Sequence, residues 1–261
     1  MPKFAANLSM MFSEVPFLER FAAARAAGFK AVEFQFPYAF PASNIAARVK
    51  DNGLHVVLFN LPPGDFEKGE RGIACLPGRE SEFRAGVDAM LDYAAALNCK
   101  TINCPAGIRP ADLEHSAALN QCTKNLNLAA ERLASENIQL VIEPLNQNDV
   151  PGFLFSRSAD AIALMDSVGH PNLKLQYDLY HMQRSEGELT TTLARLQPRI
   201  GHIQIADVPD RHEPGTGEIN FTHMLRHIDA IGYSGWIGCE YRPRTTTVHG
   251  LRWITDHGFS L

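Results

Sequence analysis

Nothing in the sequence approaches the roughly 18 uninterrupted apolar residues that a membrane-crossing helix needs. No secretory leader opens the chain either, since MPKFAANLSMMF runs straight into the acidic SEVPFLER. No membrane partner is expected. Cysteine is sparse: Cys75, Cys99, Cys104, Cys122 and Cys239 are odd in number, widely spaced and without a CxxC. That excludes a disulfide framework and points to reduced thiols in a cytoplasmic protein. Basic residues are in deficit, with 24 Lys and Arg against 29 Asp and Glu, a net charge of −5 and a pI near 6.1. A chain so balanced offers no basic stripe to a phosphate backbone, so nucleic acid is not expected as a partner. Linkers, charge blocks, low-complexity tracts and internal repeats are also missing, so one domain over residues 1–261 is expected.

What is present is a rhythm. Short apolar runs recur at 4–8, 31–35, 55–59, 100–104, 139–143, 173–178, 201–205 and 236–240. Between them lie segments such as 14–27, 79–97, 117–135 and 157–168, whose apolar residues return every three or four positions. Ser13 and Glu14 read as the start of one helix and Gly28 as its end, while Asn52 and Gly53 end the next. Continuous apolar strands alternating with amphipathic helices imply a parallel sheet covered on both faces. Eight such units in about 250 residues fit a closed α/β barrel, the (β/α)8 or TIM barrel. The doubly wound alternative normally carries a glycine-rich phosphate turn after its first strand, and NLSMMF has no glycine.

In such a barrel the C-terminal strand ends converge on one mouth, and polar residues there are candidates for chemistry. The fifth run ends in Glu143, the sixth in Asp178, the seventh carries Gln204 and the eighth ends in Glu240. Each alone reads as an exposed charge at a loop start. Together, on four consecutive strands, they form a cluster whose like charges repel unless a cation neutralises them. All four are oxygen donors, which suits Mg²⁺ or Mn²⁺ better than Zn²⁺. His181, three residues after Asp178, reaches the same mouth as metal ligand, acid/base or hydrogen-bond donor. Two long polar connections, 60–78 and 207–220, carry Arg71 and Arg211, whose planar guanidinium groups match a substrate carboxylate. Cys104 and Cys239 lack a nucleophile's histidine partner and read as small core residues.

The segments IEPLN at 142–146, QYDLYHMQR at 176–184, GHIQIADVPDRHEPGTGEIN at 201–220 and GWIGCEY at 235–241 resemble the hydroxypyruvate isomerases of the xylose-isomerase-like TIM-barrel superfamily. The likeness extends to FAANLSMMF at 4–12 and GERGIACLPGRE at 69–80, and so covers nearly the whole chain. It implies a divalent metal held by Glu143, Asp178, Gln204 and Glu240, with Glu143 and Glu240 also moving protons. Many sugar epimerases of the superfamily carry histidine where Gln204 stands, so their sugar substrates do not transfer directly. The expected activity is interconversion of hydroxypyruvate and 2-hydroxy-3-oxopropanoate through an enediolate, with a small 2-oxo acid as partner and Arg71, His181 and Arg211 as its contacts. The 2-oxo-tetronate isomerases share much of this pattern and give the alternative. A metal-dependent nuclease related to endonuclease IV and a non-catalytic sugar-acid-binding barrel are further readings. A histidine-poor site and an acidic chain weigh against the first, and the pair of glutamates against the second. A homo-oligomer is compatible with the sequence.

Overall fold

All eight apolar runs form strands in the computed structural model, which describes residues 1–261. They are β1 (Lys3–Asn7), β2 (Ala31–Glu33), β3 (His55–Asn60), β4 (Thr101–Asn103), β5 (Gln139–Ile142), β6 (Leu173–Asp178), β7 (Ile200–Ile205) and β8 (Trp236–Cys239). Each pairs in parallel with the next, and β8 closes on β1. Closure abolishes sheet edges, and the helices that return the chain cover the outer face.

The covering helices form because their apolar residues fall on one stripe. Helices α1 (Arg20–Ala26) and α2 (Ala42–Asp51) are followed by α3 (Glu80–Leu97), which buries Phe83, Val87, Met90, Ala94 and Leu97. Next, α4 (His115–Ser135) buries Ala118, Cys122, Leu126, Ala129 and Leu133. Gly169 ends α5 (Ser158–Val168) at φ 67°, where only a residue without a Cβ sits unstrained. The start expected at Ser13 and Glu14 does not occur. Pro16 precedes a 3-10 turn over Phe17–Glu19, and α1 begins at Arg20. Glu14 is taken up by a distant partner instead: its carboxylate accepts the backbone N–H of Thr247 at 2.5 Å and the Thr247 hydroxyl at 3.1 Å. A long-range contact has displaced a local cap. All five cysteines are buried and free, and burial pushes the Cys75 thiol up to about 11 and that of Cys99 to about 12.

Both long polar loops leave C-terminal strand ends, and both are tied down. Residues 61–79 join β3 to α3. There Gly72, at φ 110°, lies so close to the Pro105 carbonyl that a Cβ would collide with it. Arg79 braces the same loop through Glu70 and through Glu82 at 2.6 Å. The connection that follows β7 runs to the helix Phe221–Ala230 and is organised by buried Asp207. Its carboxylate accepts the backbone N–H groups of Val208, Gly215, Gly217 and Ile219 at 2.8–3.1 Å.

Candidate active site

Glu143, Asp178 and Glu240 stand at or just beyond the ends of β5, β6 and β8, so the barrel brings all three to its C-terminal mouth. All are buried, at 8%, 0% and 5% exposure. Single ligand atoms of Glu143, Asp178 and His181 lie within 4.8 Å of one another. Arg211 joins Glu240 to the group. Its Nη2 donates to Glu240 Oε2 at 2.6 Å and approaches Asp178 Oδ2 at 3.4 Å.

Removing carboxylates from water favours their protonated forms, and neighbouring negative charge adds to this. Burial, then Glu240 and Asp178, push Glu143 well above the usual carboxylate range. Burial raises Asp178 to about 7 despite the opposing guanidinium of Arg211. Glu240 is raised for the same first reason, with Arg211 again opposing. One guanidinium therefore does not fully compensate the cluster. Glu143 Oε1, buried and without a hydrogen-bond partner, points to an unmet demand for positive charge or a donor. Three buried carboxylates with an orphaned oxygen among them form a donor set that fits a hard divalent cation.

Gln204 lies in register with Asp178 and is buried. Its Nε2 donates to Glu33 Oε1 at 2.6 Å, and its Oε1 accepts from Gln176 Nε2 at 2.6 Å. It thus belongs to a buried polar group that also contains Glu33, His202 and Gln176.

His181, the third residue of α6 (Leu179–Ser185), has a defined tautomer. The Asn146 side-chain oxygen accepts from the backbone N–H groups of Asn148 and Asp149, which turns its Nδ2 toward His181 Nδ1 at 2.8 Å. The Asn146 backbone N–H also approaches that nitrogen, at 3.2 Å. With Nδ1 accepting, the proton of the neutral ring sits on Nε2, which faces Asp178 Oδ2 at 3.7 Å. Burial, then Arg211 and Arg184, hold the imidazole well below its ordinary value, consistent with the neutral ring. His181 is therefore arranged as a hydrogen-bond donor rather than a lone-pair ligand.

Glu143, His181, Arg211 and Glu240 open into a cavity of about 550 Å³ that Phe66, Arg71 and Arg242 also line. The guanidinium of Arg71 lies 3.9 Å over the Phe66 ring, and its Nη1 donates to the carbonyls of Phe66 and Glu70. No carboxylate pairs with it, so its remaining donors are free. Arg184, by contrast, is engaged by Asp149 at 2.8 Å.

Several site residues escaped the sequence reading. Glu33 and His202 carried a usable signal, namely a charge inside the apolar run AVEFQ and an imidazole two positions before Gln204 on the same strand face. Asn7 and Gln35, whose side-chain amides each donate to Glu240 Oε1 at 3.1 Å, carried none.

The family model described as xylose isomerase-like TIM barrel matches residues 21–257. A hydroxypyruvate isomerase of Escherichia coli is 51% identical over 98% of this chain and 100% of its own length. A 2-oxo-tetronate isomerase of Cupriavidus necator is 48% identical over 98% of this chain and 99% of its own. A crystal structure from Brucella melitensis, described as an AP endonuclease of family 2, superposes with a TM-score of 0.96 at 47% identity, covering 98% of this chain and 99% of that one.

Proposed function

Since the chain belongs to the xylose isomerase-like TIM-barrel family, we propose that it is a metal-dependent isomerase of a short 2-oxo acid, acting as one barrel domain over 1–261. The substrate proposed is hydroxypyruvate, converted to 2-hydroxy-3-oxopropanoate, with a four-carbon 2-oxo acid as the alternative that the 48% identical tetronate isomerase favours. The observation that carries this reading is the convergence of Glu143, Asp178 and Glu240 around Arg211 and His181, with Glu143 and Glu240 facing a cavity where Arg71 has donors to spare.

The reaction takes a proton from C3 of hydroxypyruvate and returns one to C2, while the hydroxyl proton passes from O3 to O2. Two carboxylates suit this exchange, and Glu143 and Glu240 are the proposed donor and acceptor. Glu143, Asp178, Gln204 and Glu240 would hold Mg²⁺ or Mn²⁺, which when bound would supply stabilisation of developing negative charge on substrate oxygen. His181 donates Nε2–H to a substrate oxygen. Arg71 receives the carboxylate, and Arg211 donates to Glu240, opposing the effect of burial on it, and forms part of the wall around the substrate.

The test is direct. Chelator-treated protein reloaded with Mg²⁺ or Mn²⁺ should interconvert hydroxypyruvate and its aldehyde, followed by proton NMR in deuterium oxide, and should leave an abasic-site duplex uncut. Cleavage of the duplex, or turnover only of uncharged ketoses, would refute the assignment.

Protons and metal compete for the same oxygens, which gives a second expectation. Raised folded-state carboxylates bind protons that the unfolded chain has already lost between about pH 4 and about pH 7, so the metal-free fold loses stability as pH rises through that window. Metal binding needs the ionised forms and strengthens over the same range. The gain in Tm on adding Mn²⁺ to chelator-treated protein should therefore be larger at about pH 7.5 than at about pH 5.5. Equal gains by differential scanning fluorimetry would contradict the ligand set.

A further inference from the structure

The proposed ligand set leaves the buried carboxylate of Glu33, on a barrel strand, without a task. Glu33 ends β2 with no exposure, beside a register shift between Val32 and Glu33. Its Oε1 accepts from Asn7 Nδ2 at 2.9 Å and from Gln204 Nε2 at 2.6 Å, and its Oε2 lies 2.7 Å from His202 Nε2. Gly238 on β8 makes the room, because a Cβ there would collide with both carboxylate oxygens. So much of the barrel interior arranged around one carboxylate is more than a satisfied core polar group requires, since an apolar residue would fill the same space without any desolvation cost.

An amide has two chemically different ends, and a hard cation takes only the oxygen. A carboxylate accepts and does not donate. Glu33 can therefore bind Gln204 only through Nε2, which turns Oε1 away from it. That oxygen accepts one N–H from Gln176, and its second lone pair remains for a cation. Asn7 extends the same control to a second ligand, since its Nδ2 also donates to Glu240 Oε1 at 3.1 Å.

We propose that Glu33 is a positioning residue for the metal site, fixing the Gln204 amide so that its oxygen rather than its nitrogen is presented to the divalent cation. This rests on the ligand set proposed above and adds to it a specific role for a residue that touches neither metal nor substrate. Outer partners that orient a ligand commonly change metal affinity by about 10- to 100-fold when replaced.

Mn²⁺ binding to chelator-treated protein, read from the electron paramagnetic resonance of the free ion, tests it without recourse to turnover. Four proteins are compared: the parent, E33Q, Q204E and the double variant E33Q/Q204E. In E33Q the amide at position 33 can present either end, so only the weaker preferences set by Asn7 and Gln176 orient the amide at 204, and affinity should fall about 10- to 100-fold. In Q204E two buried carboxylates face each other, and affinity should fall as well. In the double variant a donor at 33 again faces an acceptor at 204 with oxygen turned to the metal, and affinity should return to within about threefold of the parent or better. A purely structural role for Glu33 predicts losses that add. E33Q binding within about threefold of the parent, or a double variant weaker than both single ones, would overturn the proposal. Should E33Q not fold, E33D carries the test: it keeps the charge, withdraws the acceptor by one methylene, and must also weaken binding. If the parent binds no Mn²⁺, the metal reading falls and this proposal with it. A binding parent with an equally tight E33Q overturns the positioning role alone.

Discussion

Replacing Glu143 or Glu240 by glutamine should each lower kcat for hydroxypyruvate by about 10²- to 10⁴-fold, the range a positioned acid or base contributes. An amide preserves the volume and one oxygen donor of the carboxylate, but it cannot take a proton from carbon. The two variants differ in their effect on the fold. Glu240 is paired with Arg211 and accepts from Asn7 and Gln35, so its neutral substitute leaves a largely buried guanidinium with Asp178 alone. That variant should lose stability as well as turnover. Glu143 has an oxygen with no partner, and E143Q relieves repulsion from Asp178 and Glu240, so the metal-free variant should be at least as stable as its parent. Metal content measured on the same samples separates a lost base from a lost ion. A variant that holds its metal and keeps near-parental kcat would remove that residue from the proton-transfer role.

The second large effect concerns Arg71. A charge-assisted hydrogen bond contributes about 1.5–3 kcal/mol, and a guanidinium can give two to one carboxylate. R71A should therefore raise KM for hydroxypyruvate by about 10- to 10³-fold. R71K should recover only part of the loss, because an ammonium presents a point charge without the fork. The loop that carries Arg71 is braced independently by Glu70, Arg79 and Glu82 and by the Gly72 contact, so the variant should unfold at nearly the parental temperature. If the acid bound R71A normally, the carboxylate clamp would have to lie elsewhere, with Arg242 the next arginine on the cavity wall.

The strands and the carboxylates at their ends were legible in the sequence because period and position are local properties. An apolar run followed by Glu143, Asp178 or Glu240 needs only barrel closure to converge. The start of α1 was not legible, since Glu14 is claimed by Thr247, 233 residues away. The same holds for the state of His181, which Asn146 sets from another strand end, and for the guanidinium of Arg211 among the carboxylates. The partnership of Glu33 with Gln204 depends on closing β8 onto β1 and on a register shift in β2, neither of which a single strand's pattern encodes.

Asp207 gathers four backbone N–H groups of a connection that contains neither helix nor strand. The loop carrying Arg211 thus gives up its conformational freedom when the chain folds rather than when a ligand arrives. A small acid, with few atoms to offer in contact, meets an arm that is already ordered, and little of its limited binding free energy is spent on ordering protein.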